Sequence, residues 1–220
     1  DLHSFPTRRS SDLHIGPYFA KRLAGRRRQL GLDDETCARG LIALHTILTE
    51  ETPLTRADIV ARIAGHGIVI DPKSQAPAHL LGYAAMNGLI QRGAEAAAEE
   101  PTYELMAQHP PVEQQEALAR LATRYLAGYG PATEGDFAAW CGLPLGQART
   151  AFAAVHPTRV TVGGRMAYVL DDADVNLSRD TPTQVRLLGH FDTYLLGYRS
   201  RELAVPKEHD RLYGDRKSVV

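Results

Sequence analysis

The chain has 220 residues, with 25 Lys and Arg against 26 Asp and Glu and a formal net charge of −1. This near-neutral total gives no bulk attraction to nucleic acid, so any phosphate binding has to come from local patches. The length suits one to three small domains with modest cores, and no apolar run approaches the roughly 18 residues of a membrane span.

The two ends read differently from the middle. The N-terminal "DLHSFPTRRSSDL" resembles a translated sequencing-library adapter, and the C-terminal "DRKSVV" resembles its opposite strand. A single oligonucleotide encodes both when Thr7 to Asp12 and Asp215 to Val220 are back-translated in complementary frames. Residues 1–13 and 215–220 are therefore set aside as adapter-derived. Without Arg8, Arg9, Arg216, Lys217, Asp1, Asp12 and Asp215, the remaining 14–214 carries a net charge of −2. The two cysteines, Cys37 and Cys141, fall in separate helical patterns. They read as free thiols rather than a disulfide, which fits a reducing cytoplasm.

Along 14–214, "YFAKRLAGRRRQLGL" comes first and places Lys21, Arg22, Arg26, Arg27 and Arg28 within eight residues. The favoured reading is a solvated helix face; the alternative is a phosphate contact. Residues 34–48 then carry Cys37, Leu41, Leu44, Ile47 and Leu48 at helical spacing. Pro53 precedes Thr55, with Asp58 three residues on and Ile59 next, the pattern of a capped helix start. A third helix is predicted through "SQAPAHLLGYAAMNG", on Leu80, Tyr83 and Ala84. Two strands, "LIQR" and "TYEL", follow around an Ala- and Glu-rich loop at 94–100.

The same order then recurs. Residues 113–129 carry a helical stripe of Ala117, Leu118, Leu121, Ala122, Tyr125, Leu126 and Tyr129, stopped by Gly130-Pro131. Pro131, Thr133, Asp136 and Phe137 repeat Pro53, Thr55, Asp58 and Ile59 at a displacement of 78. Phe137, Trp140 and Cys141 form a short apolar face, better read as core than as a base-stacking platform. "LGQARTAFAAV" predicts a third helix on Leu145, Ala148, Phe152 and Val155, and "RVTVGGRMAYVL" a hairpin turning at Gly163-Gly164. Beyond it, 173–214 begins as a polar linker. It continues into two apolar runs, Val185 to Leu188 and Tyr194 to Leu196, read as the first strands of a truncated β domain.

Three helices followed by a hairpin is the winged helix-turn-helix plan, in which the helix after the turn can enter a major groove. Such units also serve as interaction or spacer domains. The nucleic-acid reading requires each third helix to keep an open face. The fold class expected is α+β, mainly α, with one winged-helix unit over 14–107, another over 108–172, and the truncated β domain over 173–214.

"RYLAGYGPATEGDFAAWCGLP" followed by "VRLLGHFDTYLLGYRSR" resembles the bacterial winged-helix DNA-binding-domain proteins. These are related to the winged-helix DNA glycosylases that unhook interstrand crosslinks. The resemblance spans nearly all of 14–214 and implies tandem winged helices and a β-barrel around duplex DNA. It also implies a catalytic Gln-apolar-Gln pair in an N-terminal winged helix. No Gln-x-Gln occurs in this chain, since "EQQE" at 113–116 is an adjacent pair. No catalytic residue is assigned, and this polypeptide is expected to bind DNA without itself carrying out N-glycosidic hydrolysis. A non-catalytic transcriptional regulator and a protein-interaction scaffold remain open.

The expected DNA contacts in the first unit are Lys73, Ser74 and Gln75 at the start of the third helix, and Arg92 on the wing. In the second they are Gln147 and Arg149 on the helix, with Arg159 and Arg165 flanking the hairpin. Glu95, Glu99 and Glu100 argue against the first wing tip lying on phosphate. Asp192, Arg199 and Arg201 match recurring positions of the family. There a carboxylate can orient an arginine towards a phosphate, or Asp192 can cap a turn or pair with Arg199. His190 beside it is weak evidence for acid–base work. The histidines and cysteines show no ligand spacing, so neither metal nor cofactor is expected. The partner expected is double-stranded DNA, with no membrane association and a monomeric state.

Overall fold

The structure is a computed structural model that describes residues 12–96, 100–107, 112–171, 192–202, 205, 208 and 209. Of the segments set aside at the ends, Asp12 and Leu13 open the first helix; 1–11 and 215–220 lie outside the described residues. The chain divides into two compact units at Val112/Glu113. The described elements are mainly helical, with small antiparallel sheets.

The first unit begins with α1 (Asp12–Arg22) and α2 (Ala24–Gln29), followed by α3 (Asp34–Glu50). Asp33 starts α3 by accepting the Thr36 N–H on its side chain. A short strand β1 (Leu54–Thr55) leads into α4 (Arg56–Ile63), and α5 (Ala76–Met86) comes after a turn. Strands β2 (Ile90–Arg92) and β3 (Thr102–Leu105) close the unit. β3 is the middle strand, with Leu54 opposite Tyr103 and Ile90 opposite Leu105. Cys37, Leu44, Ile47 and Leu48 of α3 bury one face against Ile59 and Ile63 of α4 and Leu80, Leu81 and Ala84 of α5. This is the 3.6-residue apolar stripe that the sequence sets out.

The second unit repeats the plan with α6 (Gln114–Tyr129), α7 (Glu134–Cys141), α8 (Leu145–Val155) and the hairpin β4 (Thr158–Val162) and β5 (Arg165–Val169). Gly163 and Gly164, with φ of 54° and 76°, occupy the left-handed positions that a two-residue hairpin turn needs. Ala132, the counterpart of Leu54, bridges to Tyr168 of β5. Tyr125, Phe137, Ala148, Ala151 and Phe152 fill the core. Trp140 joins it by packing against Tyr125, Tyr129 and Phe137 at centroid distances of 5.1, 6.0 and 6.2 Å. Leu145, expected on the buried stripe, is instead 40% exposed at the first position of α8.

The displaced motif has the same local chemistry in both units. The Thr55 hydroxyl accepts the Asp58 N–H, while the Asp58 carboxylate accepts the Thr55 N–H and hydroxyl. Thr133 and Asp136 make the same three bonds. The prolines Pro53 and Pro131 both follow cis peptide bonds. Each box satisfies orphan N–H groups at the helix start and ties the helix to the strand residue before it.

One expected strand is absent. Tyr194 to Leu196 lie in a short helix, α9 (Thr193–Leu196), because the Asp192 carboxylate accepts the Tyr194 N–H and turns the chain. The other expected strand run, Val185 to Leu188, lies outside the described residues.

Thr55→Ala and Thr133→Ala should each lower unfolding stability by about 1 kcal/mol in urea melts at neutral pH. Hydrogen bonds from Thr55 hold the Asp58 carboxyl below its ordinary pKa. The stability that Asp58 contributes is therefore complete above the usual carboxylate range and is lost as pH falls through it. The Thr55→Ala penalty should shrink in acid; a penalty constant down to the acid transition would contradict this account.

Candidate nucleic-acid interface

In the second unit, α8 buries Ala148, Ala151 and Phe152 and turns Gly146, Arg149, Thr150 and Ala153 to solvent. The outward residues recur every three to four positions, so one face of the helix is open, and its side chains are short apart from Arg149. Gln147 is half-buried. Arg149 is 65% exposed, with Nε at 3.7 Å from Glu134 Oε2. On the hairpin, Arg159 and Arg165 are both exposed, Arg165 donating to Glu202 at 2.7 Å. Exposed pairs of this kind are worth less than about 1 kcal/mol each, so an incoming phosphate can displace either carboxylate.

The first unit is built differently around its third helix. Lys73, Ser74 and Gln75 are exposed, but they stand in the turn before α5 rather than in its first turn. That turn is fixed by Asp71, whose carboxylate accepts the Lys73 N–H and whose carbonyl accepts the Ser74 hydroxyl. α5 itself, "APAHLLGYAAM", carries no Lys or Arg. Much of it is also covered: α1, α2, α3 and α4 all pack against it. A Cβ on Gly16 of α1 would fall 2.0 Å from the Met86 carbonyl oxygen, so only glycine allows the two helices to approach so closely. The second unit therefore keeps a wide open face on its third helix, whereas α5 keeps only a narrow strip, with Ala78 and Ala85 exposed and Gly82 half-buried between them. Arg92 is exposed at the end of β2. Glu95 and Glu100 are exposed in the loop beyond, while Glu99 lies outside the described residues.

The basic cluster at 21–28 is not a uniformly solvated face. Lys21, Arg22, Arg26 and Arg28 are exposed, but Arg27 is 4% exposed. Its guanidinium donates to the Ala20 carbonyl at 2.8 Å and sits 4.3 Å from the Tyr83 ring centroid of α5. Its Nε has no hydrogen-bond partner among the described residues. Burial pushes the neighbouring Cys37 thiol up, with Arg27 partly opposing the shift. Sequence reasoning missed this anchor, although Ala20, Leu23, Ala24 and Arg27 share one helical stripe. Arg26 faces outward and reaches Gln75 Oε1 at 2.8 Å.

The C-terminal candidates of the second unit have structural seats. Asp192 caps α9 and makes no ion pair with Arg199 among the described contacts. The Tyr125 hydroxyl donates to the Gly197 carbonyl at 2.7 Å, and the Tyr198 hydroxyl to the Tyr129 carbonyl at 2.7 Å. Burial pushes both phenols up in pKa, so they stay protonated donors. The Arg199 N–H donates to Asp136 at 3.0 Å, reaching the capping box of α7, while the Arg199 side chain is exposed. Arg201 is half-buried, and its carbonyl accepts the Val205 N–H. His190 lies outside the described residues. Cys37 and Cys141 are both free, and burial pushes the Cys141 thiol up to about 11. Among the described residues, no helix is long and apolar enough to cross a membrane, and no three His, Cys, Asp or Glu side chains are grouped as a metal would need.

Comparison with known proteins gives a consistent result. Residues 14–217 match the family described as DNA glycosylase AlkZ-like. An interstrand DNA cross-link repair glycosylase of Streptomyces sahachiroi is 38% identical over 104 residues, covering 44% of this chain and 28% of that protein. The solved structure of the Streptomyces sahachiroi DNA glycosylase AlkZ superposes with a TM-score of 0.69 at 25% identity. The match covers 92% of this chain and 59% of that one, so this chain spans less than two thirds of either relative.

The docking of the 192–202 segment is open to test at Gly197. A Cβ there would lie 2.4 Å from the Tyr129 ring. Gly197→Ala should therefore loosen the segment and lower stability by about 1–3 kcal/mol. Limited proteolysis should then cut near Tyr198 to Arg201 while α6 to α8 stay intact; unchanged cleavage and melting would refute the seating.

Proposed function

We propose that this chain, which belongs to the AlkZ-like DNA glycosylase family, binds duplex DNA through two tandem winged-helix units as part of a repair protein. The observation that carries the proposal is the open face of α8, with Arg149 at its centre and Arg159 and Arg165 on the adjoining hairpin. A helix with short outward side chains fits a major groove closely, and a basic hairpin beside it suits the flanking phosphates. The repeated order of three helices and a hairpin supports the same reading of both units. The described part of 173–214 is a segment seated on α6 and α7.

The chemistry belongs elsewhere in such a protein. The 220 residues hold no Gln-x-Gln, and the candidate residues described above are suited to binding rather than to bond cleavage. This chain positions DNA, and N-glycosidic hydrolysis in a whole protein of this kind would use residues that it does not contain. Because the net charge is −1, binding rests on a few placed arginines rather than on a global field.

Duplex affinity measured against salt tests the proposal. Wild type should give a falling log–log plot, and replacing Arg149, Arg159 and Arg165 with Ala together should flatten its slope by about 2–3. A wild-type slope near zero would reject DNA binding and favour the interaction-scaffold reading. In the opposite direction, Glu134→Gln with Glu202→Gln should tighten binding severalfold, because both carboxylates now compete with phosphate for Arg149 and Arg165.

A further inference from the structure

The first unit carries its own cationic surface, on a different element from that of the second. Helical hydrogen bonding runs through the joint between α1 and α2, with the Leu23 N–H donating to Phe19 and the Arg27 N–H to Leu23. Arg22 and Arg26 are therefore one turn apart on the same side. This segment runs along α5 from Gly16, against Met86, to Arg26, bonded to Gln75. Arg27 pins it from beneath by lying on Tyr83. The α1–α2 segment thus covers one side of the helix that would enter a groove and brings Arg26 to Gln75, in the turn that also holds Lys73, with Arg22 one helical turn from Arg26.

We propose that Arg22, Arg26, Lys73 and Gln75 form a sequence-independent site for the phosphate backbone of duplex DNA, and that the first unit positions DNA without reading bases. The inference rests on the DNA-binding reading above and adds a separate surface to it. Its charge balance favours an anion. Arg28 is matched by Asp34 at 3.5 Å, and the Asp71 carboxylate, which accepts the Lys73 N–H, is a single negative charge set against the three cations Arg22, Arg26 and Lys73. Arg22 and Arg26, by contrast, contact only neutral groups in their described interactions, the Tyr18 ring and the Gln29 and Gln75 amides. An arginine already held by a glutamine loses less side-chain freedom on binding, because part of its ordering has occurred. Phosphate contacts of this kind fix register and carry no sequence information.

The test uses the full chain and labelled duplexes of two unrelated sequences. Replacing Arg22, Arg26 and Lys73 together with Ala should weaken both equally and flatten the salt slope by about 2–3. Arg120→Ala, an exposed and ion-paired charge on α6, should leave the slope unchanged. Circular dichroism melting should match wild type, since all three replaced side chains are exposed. A steep wild-type slope that the triple variant retains would overturn this site and leave the DNA-binding reading standing. Weakening confined to one duplex sequence would overturn the claim that the unit does not read bases. A flat wild-type slope would remove both readings.

Discussion

Each unit depends on a reciprocal pair of hydrogen bonds between a threonine and an aspartate three residues later. Thr55 with Asp58, and Thr133 with Asp136, end an extended segment and start a helix in one step. The residue just before each threonine pairs with the last strand of its hairpin, Leu54 with Tyr103 and Ala132 with Tyr168. The cap therefore joins the second helix of each unit to its sheet. A helix start with unsatisfied N–H groups would fray at the point where the unit is held together.

From this common frame the two units diverge through what packs on their third helices. α8 is amphipathic, with Ala148, Ala151 and Phe152 inward and short residues with Arg149 outward, so one side stays in solvent. α5 is apolar nearly all round, and such a helix has to be covered on more than one side. The α1–α2 segment supplies the cover. Gly16 makes the close approach possible, and Arg27 adds a buried cation held by a carbonyl and an aromatic face. Burying a guanidinium without a carboxylate is costly unless its donors are occupied, and the Tyr83 ring offsets part of that cost.

The segment after Asp192 serves the packing of the second unit. Gly197 and Tyr198 lie against Tyr125 and Tyr129, and the backbone of Arg199 completes the hydrogen bonding of Asp136. "DTYLLGYR" is therefore a latch on α6 and α7, and it leaves the Arg199 guanidinium in solvent. The Asp136 carboxylate serves the helix cap and the latch together, which ties the seating of the segment to the start of α7.

Local rules in the sequence determined the helices, the two capped starts, the Gly163-Gly164 turn and the order of elements. Each follows from hydrogen bonding or apolar periodicity within a few residues. The family, too, was legible in "YGPATEGDFAAWCG" and "GHFDTYLLGYRSR". Tertiary packing alone decided that α5 is largely covered, that Arg27 is buried among exposed arginines, and that the 192–202 segment seats on Tyr125 and Tyr129. It also paired Arg149 and Arg165 with Glu134 and Glu202. The reason is physical: a side chain's exposure depends on which distant surface arrives over it, and residues far apart in the chain carry no local mark of meeting. The sequence could state which cations exist, but only the packing could state which of them remain available to a phosphate.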